Sequence, residues 1–282
     1  MGEPDRQTMH QPPTPAQLQR WICGMVPGWS AEDIGGFLFL EGGYSNRNYR
    51  FSHGRNLYVL RVPYRQRPFV DRQQEQALLL TAGLPETPEI VAFDADSGFM
   101  ISRWVSGHLL ADLTPAPEDL LTYLRRLHAR LPGSARQYNP LDQARQYLRG
   151  ANAPDWIHRM VEALDWPPAG TVSCHNDLNP WNVIREPSGR WITLDWEWFG
   201  RNDPLFDLVT LHQSLALDRD LLPALAEALL AERVPASRLH ACLSAFWLRE
   251  FAWAAAEIAA GDTRSEIAEQ RALGEERLRA LR

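Results

Sequence analysis

From Phe37 to Val105 the chain runs in short β-type stretches broken by turn residues, and after Gly107 it runs almost entirely in helical periods. This change of period constrains the fold more than any other feature. "FLFL" and "RNYRF" are separated by the glycine-rich "EGGYSN", and "NLYVLRV" follows, with Asn56 marking the turn before it. Stretches joined by connections this short pair antiparallel, because a parallel crossover needs a dozen or more residues. "VDRQQEQALLLTAG" reads as a helix closed by Gly83, and "EIVAFDADSGFMISRWV" as two more strands around a "DADSG" turn. Residues 37–105 thus form a small, mostly antiparallel sheet with one helix. Upstream, residues 1–13 are polar and proline-rich and read as a flexible tail. "TPAQLQRWICGMV" reads as a helix, with Thr14 as N-cap and Pro15 in its first position.

Beyond Gly107, "PEDLLTYLRRLHARL", "PLDQARQYLRG" and "APDWIHRMVEAL" carry apolar residues at helical spacing. Two short strands, "TVSC" and "RWITLDW", interrupt, and helices return from about Leu205. The pattern predicts an α+β protein in two parts: residues 1–104, including the tail, and a larger, mainly helical part over 105–282.

Charge and cysteine content narrow the function. The formal net charge is −6 and no basic run occurs, so no nucleic-acid partner is expected. All 29 basic residues are arginine, so no lysine can serve as phosphate clamp, Schiff base or general base. The three cysteines form no C-x-x-C pair and no even-numbered disulfide framework, which fits a reducing compartment. No apolar run of membrane-spanning length appears, so a soluble, cytoplasmic protein with no membrane partner is expected. The sequence leaves the oligomeric state open.

The densest polar stretch is "SCHNDLNPWNVI", Ser173–Ile184. His and Asp in a loop are common, and Asn and Asp cap turns through their side chains. Here, however, "WITLDWEW" follows, and it ends a short strand at Asp195. Asp177, Asn182 and Asp195 are therefore expected near adjacent strand ends around one hairpin. Their oxygens suit a hard cation such as Mg²⁺, which keeps substrate phosphates in its shell.

The order H-N-D-L-x-x-x-N and then D-W-E resembles the catalytic loop and metal-binding aspartate of the protein-kinase-like fold. Together, "HNDLNPWNV" and "LDWEWFGRNDPLFDLV" resemble the choline/ethanolamine kinase and aminoglycoside phosphotransferase superfamily, most closely its bacterial choline kinases. The resemblance covers roughly residues 35–260 and implies a bilobal fold, with a small antiparallel-sheet N-lobe for nucleotide and a larger helical C-lobe for catalysis and acceptor binding. It implies ATP and Mg²⁺ as cofactors. Asp177 would be the catalytic base or orienter, Asn182 and Asp195 the metal ligands, and His175 and Asp207 supports of the catalytic loop. Asp207 opens a helix, so simple N-capping is its rival role.

In the N-terminal part the resemblance makes "GGYSNRNYRF" the phosphate-covering loop, with Gly42, Gly43, Ser45 and Asn46 at its tip. Seen alone, the same stretch is an ordinary hairpin turn. Arg61, in "LYVLRVP", stands where protein kinases carry the phosphate-gripping lysine, and an arginine there can hold phosphate bidentately. Its helix partner is Glu75, whose rival role is a surface glutamate. Adenine is expected against Met100–Trp104, with Ser102 and Trp104 among the nucleotide-binding residues.

The acceptor is expected to be a small molecule bearing a hydroxyl. "FWLREFAWAAAEIAAG" places Trp247, Glu250 and Trp253 three residues apart on one late helix, where choline kinases carry an aromatic-rich acceptor wall. Aromatic faces beside a carboxylate suit a cation, and Glu197 could add negative charge. Core packing is the rival role for the tryptophans. The reading is a kinase for choline or ethanolamine first and thiamine second. A kinase for a sugar, aminoglycoside or amino-alcohol is the alternative, and a catalytically dead nucleotide-binding relative a further one. The latter should have lost one of Asp177, Asn182 and Asp195, and all three are present.

Overall fold

The computed structural model describes residues 12–42, 45–64, 69–81, 84 and 86–282. Gly43 and Gly83 lie outside the described residues. The chain divides into two compact units, residues 1–108 with 184–197, and residues 109–183 with 198–282. No change of composition marks the return of 184–197 to the first unit.

In the first unit, α1 (Pro15–Met25) starts as its sequence predicts. Thr14 and Gln17 form a reciprocal capping box: Gln17 N–H donates to the Thr14 hydroxyl, and Thr14 N–H to the Gln17 side-chain oxygen. Leu18 and Ile22, one turn apart, are its buried face. The sheet follows, with β1 (Ile34–Leu40), β2 (Asn46–His53), β3 (Asn56–Pro63), then α2 (Arg72–Thr81), β4 (Ile90–Phe93) and β5 (Met100–Arg103). The five strands are all antiparallel in the order β1-β2-β3-β5-β4. Asn56 is the first residue of β3, so the turn falls one residue earlier than its sequence signal.

Alternation along β3 separates two environments. Tyr58, Leu60 and Val62 join Phe51, Ile101, Leu18 and Ile22 in one apolar cluster. Arg61, between them, therefore faces the other side of the sheet. Its register neighbours, Asn48 on β2 and Met100 on β5, fix that position.

A two-residue strand, β6 (His108–Leu109), follows the first unit's main sheet. The second unit then runs α3 (Pro117–Arg130), α4 (Pro140–Leu148), α5 (Asp155–Ala163) and β7 (Val172–Cys174). Next come β8 (Val183–Arg185), β9 (Trp191–Thr193) and β10 (Gly200–Asn202). The helices α6 (Leu205–Ser214), α7 (Leu221–Leu230), α8 (Ala236–Ala259) and α9 (Ser265–Ala280) complete the chain. The sequence predicts β7, β9 and the return of helix at Leu205. It does not predict β6, β8 and β10.

The 24-residue α8 is buried along most of its length and packs against α4, α6 and α9. At Gly274 on α9 a Cβ would come within 3.1 Å of the Phe251 Cβ, so the missing side chain lets α9 sit close on α8. β7 and β10 pair antiparallel, Cys174 opposite Gly200. All three cysteines are free, and Cys174 and Cys242 are buried. No helix among the described residues is long and apolar enough to cross a membrane.

Gly107 is needed both for its positive φ, 158°, and for space. A Cβ there would fall 2.3 Å from the Arg185 carbonyl oxygen, a backbone atom that cannot swing aside. Gly107→Ala should therefore cost about 1–3 kcal/mol, as overpacking does. The loss should be read as a lower urea midpoint at unchanged m-value; an unchanged midpoint would show that the Arg185 turn yields freely.

Candidate functional site

The candidate residues fall into two clusters, one in each unit. In the first unit Arg61 is buried and closes its fork on Glu75 of α2: Nη1 stands 2.6 Å from Oε1 and Nη2 3.0 Å from Oε2. Glu75 is buried as well and takes a second guanidinium, Arg72 Nη1 at 2.7 Å. Arg72 Nη2 lies 2.9 Å from Glu197, and Arg61 Nη1 3.5 Å from Asp195. The result is an alternating string, Asp195–Arg61–Glu75–Arg72–Glu197. Asn46, buried at the start of β2, donates through Nδ2 to Asp195 Oδ2 at 3.4 Å.

The segment carrying Asp195 and Glu197 is tied to this unit by backbone too, with Thr193 N–H donating to the Glu86 carbonyl at 2.6 Å. Asp195 itself adopts a left-handed conformation, φ 57°. Such a torsion is uncommon outside glycine and is held here by the surrounding pairs.

Three carboxylates face two guanidiniums in this string, which leaves one negative charge in excess. The pKa directions follow. Glu75 would be raised by burial alone, but the charge and hydrogen bonds of Arg61, then Arg72, hold it below the usual carboxylate range. Glu197 is pushed up to about 7 by burial and by the neighbouring Asp195 charge, against the pull of Arg72. A divalent cation at Asp195 would relieve that excess, so this donor set fits Mg²⁺.

Arg61 and Glu75, the helix partner its sequence suggests, are paired. The fork is closed on Glu75, and Arg61 Nε has no hydrogen-bond partner among the described residues.

Of the other first-unit candidates, Ser45 passes its carbonyl to Tyr64 N–H at 2.9 Å. Ser102 is buried within β5. Trp104 donates its backbone N–H to Leu57, lies under the Arg50 guanidinium, and borders a shallow concavity with Ser106, Glu186 and Arg190. Glu197 is 3% exposed and engaged with Arg72. It belongs to this cluster, whereas Trp247, Glu250 and Trp253, with which the sequence reading grouped it, belong to the second unit.

In the second unit the loop after β7 is held from three sides. Asp207, fully buried on α6, accepts the backbone N–H groups of His175 at 3.0 Å and Asn176 at 2.8 Å, and lies 2.9 Å from His128 Nε2. It does not cap α6; Asp203 accepts the Leu205 N–H instead and is gripped by Arg238 at 2.8 and 3.0 Å. Asn176 is left-handed, φ 70°, and its side-chain amide donates to the carbonyls of Cys174, Trp198 and Gly200. Asp177, next in sequence, is partly exposed. Its N–H donates to His175 Nδ1 at 3.2 Å, which puts His175 in a positioning role.

Asn179 caps the turn that follows, accepting the N–H groups of Trp181 and Asn182. Asn182 donates its amide nitrogen to the Asp177 carbonyl at 3.0 Å, so its amide oxygen points the other way. That oxygen is the donor a hard cation takes.

On α8 the predicted acceptor residues are engaged with protein. Trp247 is buried and its indole N–H donates to Gln213 at 3.2 Å. Glu250 accepts from Arg249 through one oxygen and from Gln270 through the other. Trp253 is half-buried on the same helix. Sequence reasoning missed four contributors: Arg72, His128, Asn176 and Arg249. Only Arg72 carried a local signal, standing three residues before Glu75 on one helix.

An antiparallel-sheet unit with a buried cation–carboxylate pair, and a helical unit with an aspartate-bearing loop, define a phosphotransferase of the protein-kinase-like α+β fold. Residues 36–246 match the phosphotransferase enzyme family, and the chain belongs to it. The chain is 27% identical over 208 residues to the protein LicA of Haemophilus influenzae, across 66% of this chain and 60% of that one, so it spans 60% of that relative's length. Among solved structures it is similar to a choline/ethanolamine kinase family protein from Mesorhizobium loti, at 21% identity and TM-score 0.69 over 95% of both chains. It is similar to the choline kinase LicA from Streptococcus pneumoniae, at 19% identity and TM-score 0.72 over 87% of this chain and 94% of that one. A spectinomycin phosphotransferase with ADP and spectinomycin bound aligns over 96% of this chain and 99% of that one, at 14% identity and TM-score 0.64.

Two stability effects follow from the clusters. Glu75→Gln leaves Arg61 buried without its counter-charge, and breaking a buried pair in this way costs about 3–5 kcal/mol. Removing one partner of an exposed pair such as Asp142–Arg145 should cost less than about 1 kcal/mol. Equal urea midpoints for the two variants would contradict this.

The second effect depends on pH. Burial would raise the Asp207 carboxyl, but His128, by hydrogen bond and charge, and then His175 hold it below its usual range. A folded-state value below the unfolded one means stability that is full above the ordinary carboxylate range, near pH 4. That contribution is lost as pH falls through the depressed value. The gap in urea midpoint between the native chain and Asp207→Asn should therefore narrow as pH drops below about 4. A gap independent of pH would mean that Asp207 acts through shape alone.

Proposed function

We propose that the chain is an ATP- and Mg²⁺-dependent kinase that transfers the γ-phosphate to a hydroxyl of a small metabolite, a cationic alcohol such as choline or ethanolamine before thiamine. The observation that carries the reaction class is the family match of a chain that has a buried Arg61–Glu75 bridge in one unit and an Asp177–Asn182 loop in the other. The acceptor class is supported by the relatives, a LicA protein and choline and choline/ethanolamine kinase structures. In this reading residues 1–104 form the nucleotide lobe and 105–282 the catalytic and acceptor lobe, with Asp195 and Glu197 supplied on the returning segment. The chain acts on small molecules, with no nucleic-acid or membrane partner, in the cytoplasm.

Phosphoryl transfer is mostly positioning and charge neutralisation. Asp177 would accept a hydrogen bond from the acceptor hydroxyl and aim its oxygen at the phosphorus. His175 and Asp207 hold the loop so that this carboxylate cannot drift. Arg61, locked by Glu75, presents a fixed positive charge to the nucleotide phosphates, and the glycine-rich turn ending in Ser45 and Asn46 covers them. Ser102 and Trp104 would border the adenine. Asn182 and Asp195 would hold Mg²⁺, whose charge would offset that of the phosphoryl oxygens.

One observation favours a second reading, a kinase for a sugar, aminoglycoside or amino-alcohol. Both oxygens of Glu250 and the indole N–H of Trp247 are engaged by the protein, so the late helix offers less to a cationic head group than its sequence promises.

An acceptor panel assayed for ADP release with ATP and Mg²⁺ tests the proposal. Choline or ethanolamine should give the highest kcat/KM, and the neutral tert-butyl isostere of choline should be the poorer substrate. A sugar or aminoglycoside at the top of the panel would move the assignment to the second reading. Asp177→Asn should lower kcat by about 10²-fold or more with ATP binding retained. Near-native kcat in that variant would remove Asp177 from the chemistry.

A further inference from the structure

We propose that Arg249 is a positioning residue for the transfer reaction, holding the Asp177 carboxylate and the peptide before it in working geometry. The proposal rests on the reading of Asp177 given above. Arg249 is buried in the middle of α8, far in sequence from the catalytic loop. Its Nη2 lies 3.3 Å from Asp177 Oδ1, and its Nη1 donates to the backbone carbonyl of Asn176. It therefore holds both the side chain that would orient the acceptor and the backbone that aims it.

That backbone needs holding. Asn176 is left-handed, and its N–H is already taken by Asp207. Its carbonyl, on the other side of the residue, is taken by Arg249. With both ends anchored, the direction in which Asp177 leaves the chain is fixed.

The guanidinium is itself immobilised. Its plane lies against Phe206 and Phe246, with ring centroids at 5.3 and 5.6 Å. Glu250 accepts from Nε at 3.0 Å and Nη2 at 2.7 Å, and the second Glu250 oxygen is fixed by Gln270 at 2.9 Å. Tyr138 accepts from Nη1 at 3.5 Å and passes its own proton to Gln143, which donates in turn to Tyr147 at 3.1 Å. A chain of groups on α4 and α9 thus backs one arginine that ends at Asp177.

Folding alone gives little reason for this charge. A buried ion pair is often no more stabilising than apolar residues of the same volume. Methionine could fill the space between Phe206 and Phe246, but it could hold neither the Asn176 carbonyl nor the Asp177 carboxylate. In this arrangement Glu250 serves Arg249, so its loss should act on kcat rather than on acceptor affinity.

A double-mutant cycle on the full chain, assayed by ADP release with the best acceptor of the panel, tests this. Arg249→Met should lower kcat by about 10–100-fold, the scale of a catalytic group misplaced by an ångström, with the KM for ATP within about twofold of native. Arg249→Lys, which keeps the charge and one contact, should lie between. In the Asp177→Asn background, adding Arg249→Met should change kcat by less than about twofold, because the group it acts through is gone.

Native kcat in Arg249→Met would overturn the proposal. So would losses that multiply in the double variant, or an Arg249→Lys variant that folds, by its melting curve, but is as impaired as Arg249→Met. Near-native kcat in Asp177→Asn alone would instead defeat the underlying reading, and this proposal with it. Should Arg249→Met not fold, Arg249→Lys carries the cycle under the same criteria.

Discussion

The Arg61–Glu75 bridge is the interaction on which the first unit is organised. It joins the middle strand of the sheet to α2 through two parallel contacts, at 2.6 and 3.0 Å, with both side chains buried. Bringing two ions out of water is costly, and the attraction offsets that cost only with good geometry and further partners. Both conditions are met: Glu75 takes Arg72 as a second donor, and Arg61 has Asp195 nearby. The bridge thereby fixes more than α2. Through Arg61, Arg72 and Asn46 it holds the returning segment that carries Asp195 and Glu197.

The second unit solves a similar problem with the charges reversed. There a carboxylate, Asp207, organises the backbone by accepting two consecutive N–H groups, and a guanidinium, Arg249, holds the next carbonyl. Left-handed residues occur at the critical point of each cluster, Asn176 before Asp177 and Asp195 itself. Each such torsion costs of the order of 1 kcal/mol or more, and persists where the surroundings over-determine it. The dense hydrogen bonding at both points is that over-determination. It turns a flexible Asx-rich loop into a fixed platform, which phosphoryl transfer requires because positioning supplies much of its rate.

The late helix shows how a sequence pattern can locate residues without giving their partners. Trp247, Glu250 and Trp253 do share α8. Yet their spacing cannot reveal that Glu250 lies between Arg249 and Gln270, or that the Trp247 indole meets Gln213. Gln213 and Gln270 come from α6 and α9, and no local period encodes them. The same holds for Arg61, whose partner Glu75 was suggested by the sequence but whose contacts with Asp195, and those of Glu75 with Arg72, were not.

What the sequence by itself determined was local. Thr14 as N-cap with Pro15 after it marked the start of α1, and "NLYVLRV" the strand that carries Arg61. The order His175, Asp177, Asn182, Asp195 carried the resemblance to the phosphotransferase family. These follow from periods of two and 3.6 residues and from side-chain types, which neighbours along the chain suffice to define. Only the tertiary structure decided which charges meet. Arg249 reaches Asp177, His128 reaches Asp207, Arg72 reaches Glu197, and Ile184–Glu197 returns to the first unit. The physical reason is that a buried charge must find a counter-charge wherever the fold brings one, and that distance is set by packing rather than by spacing in the sequence.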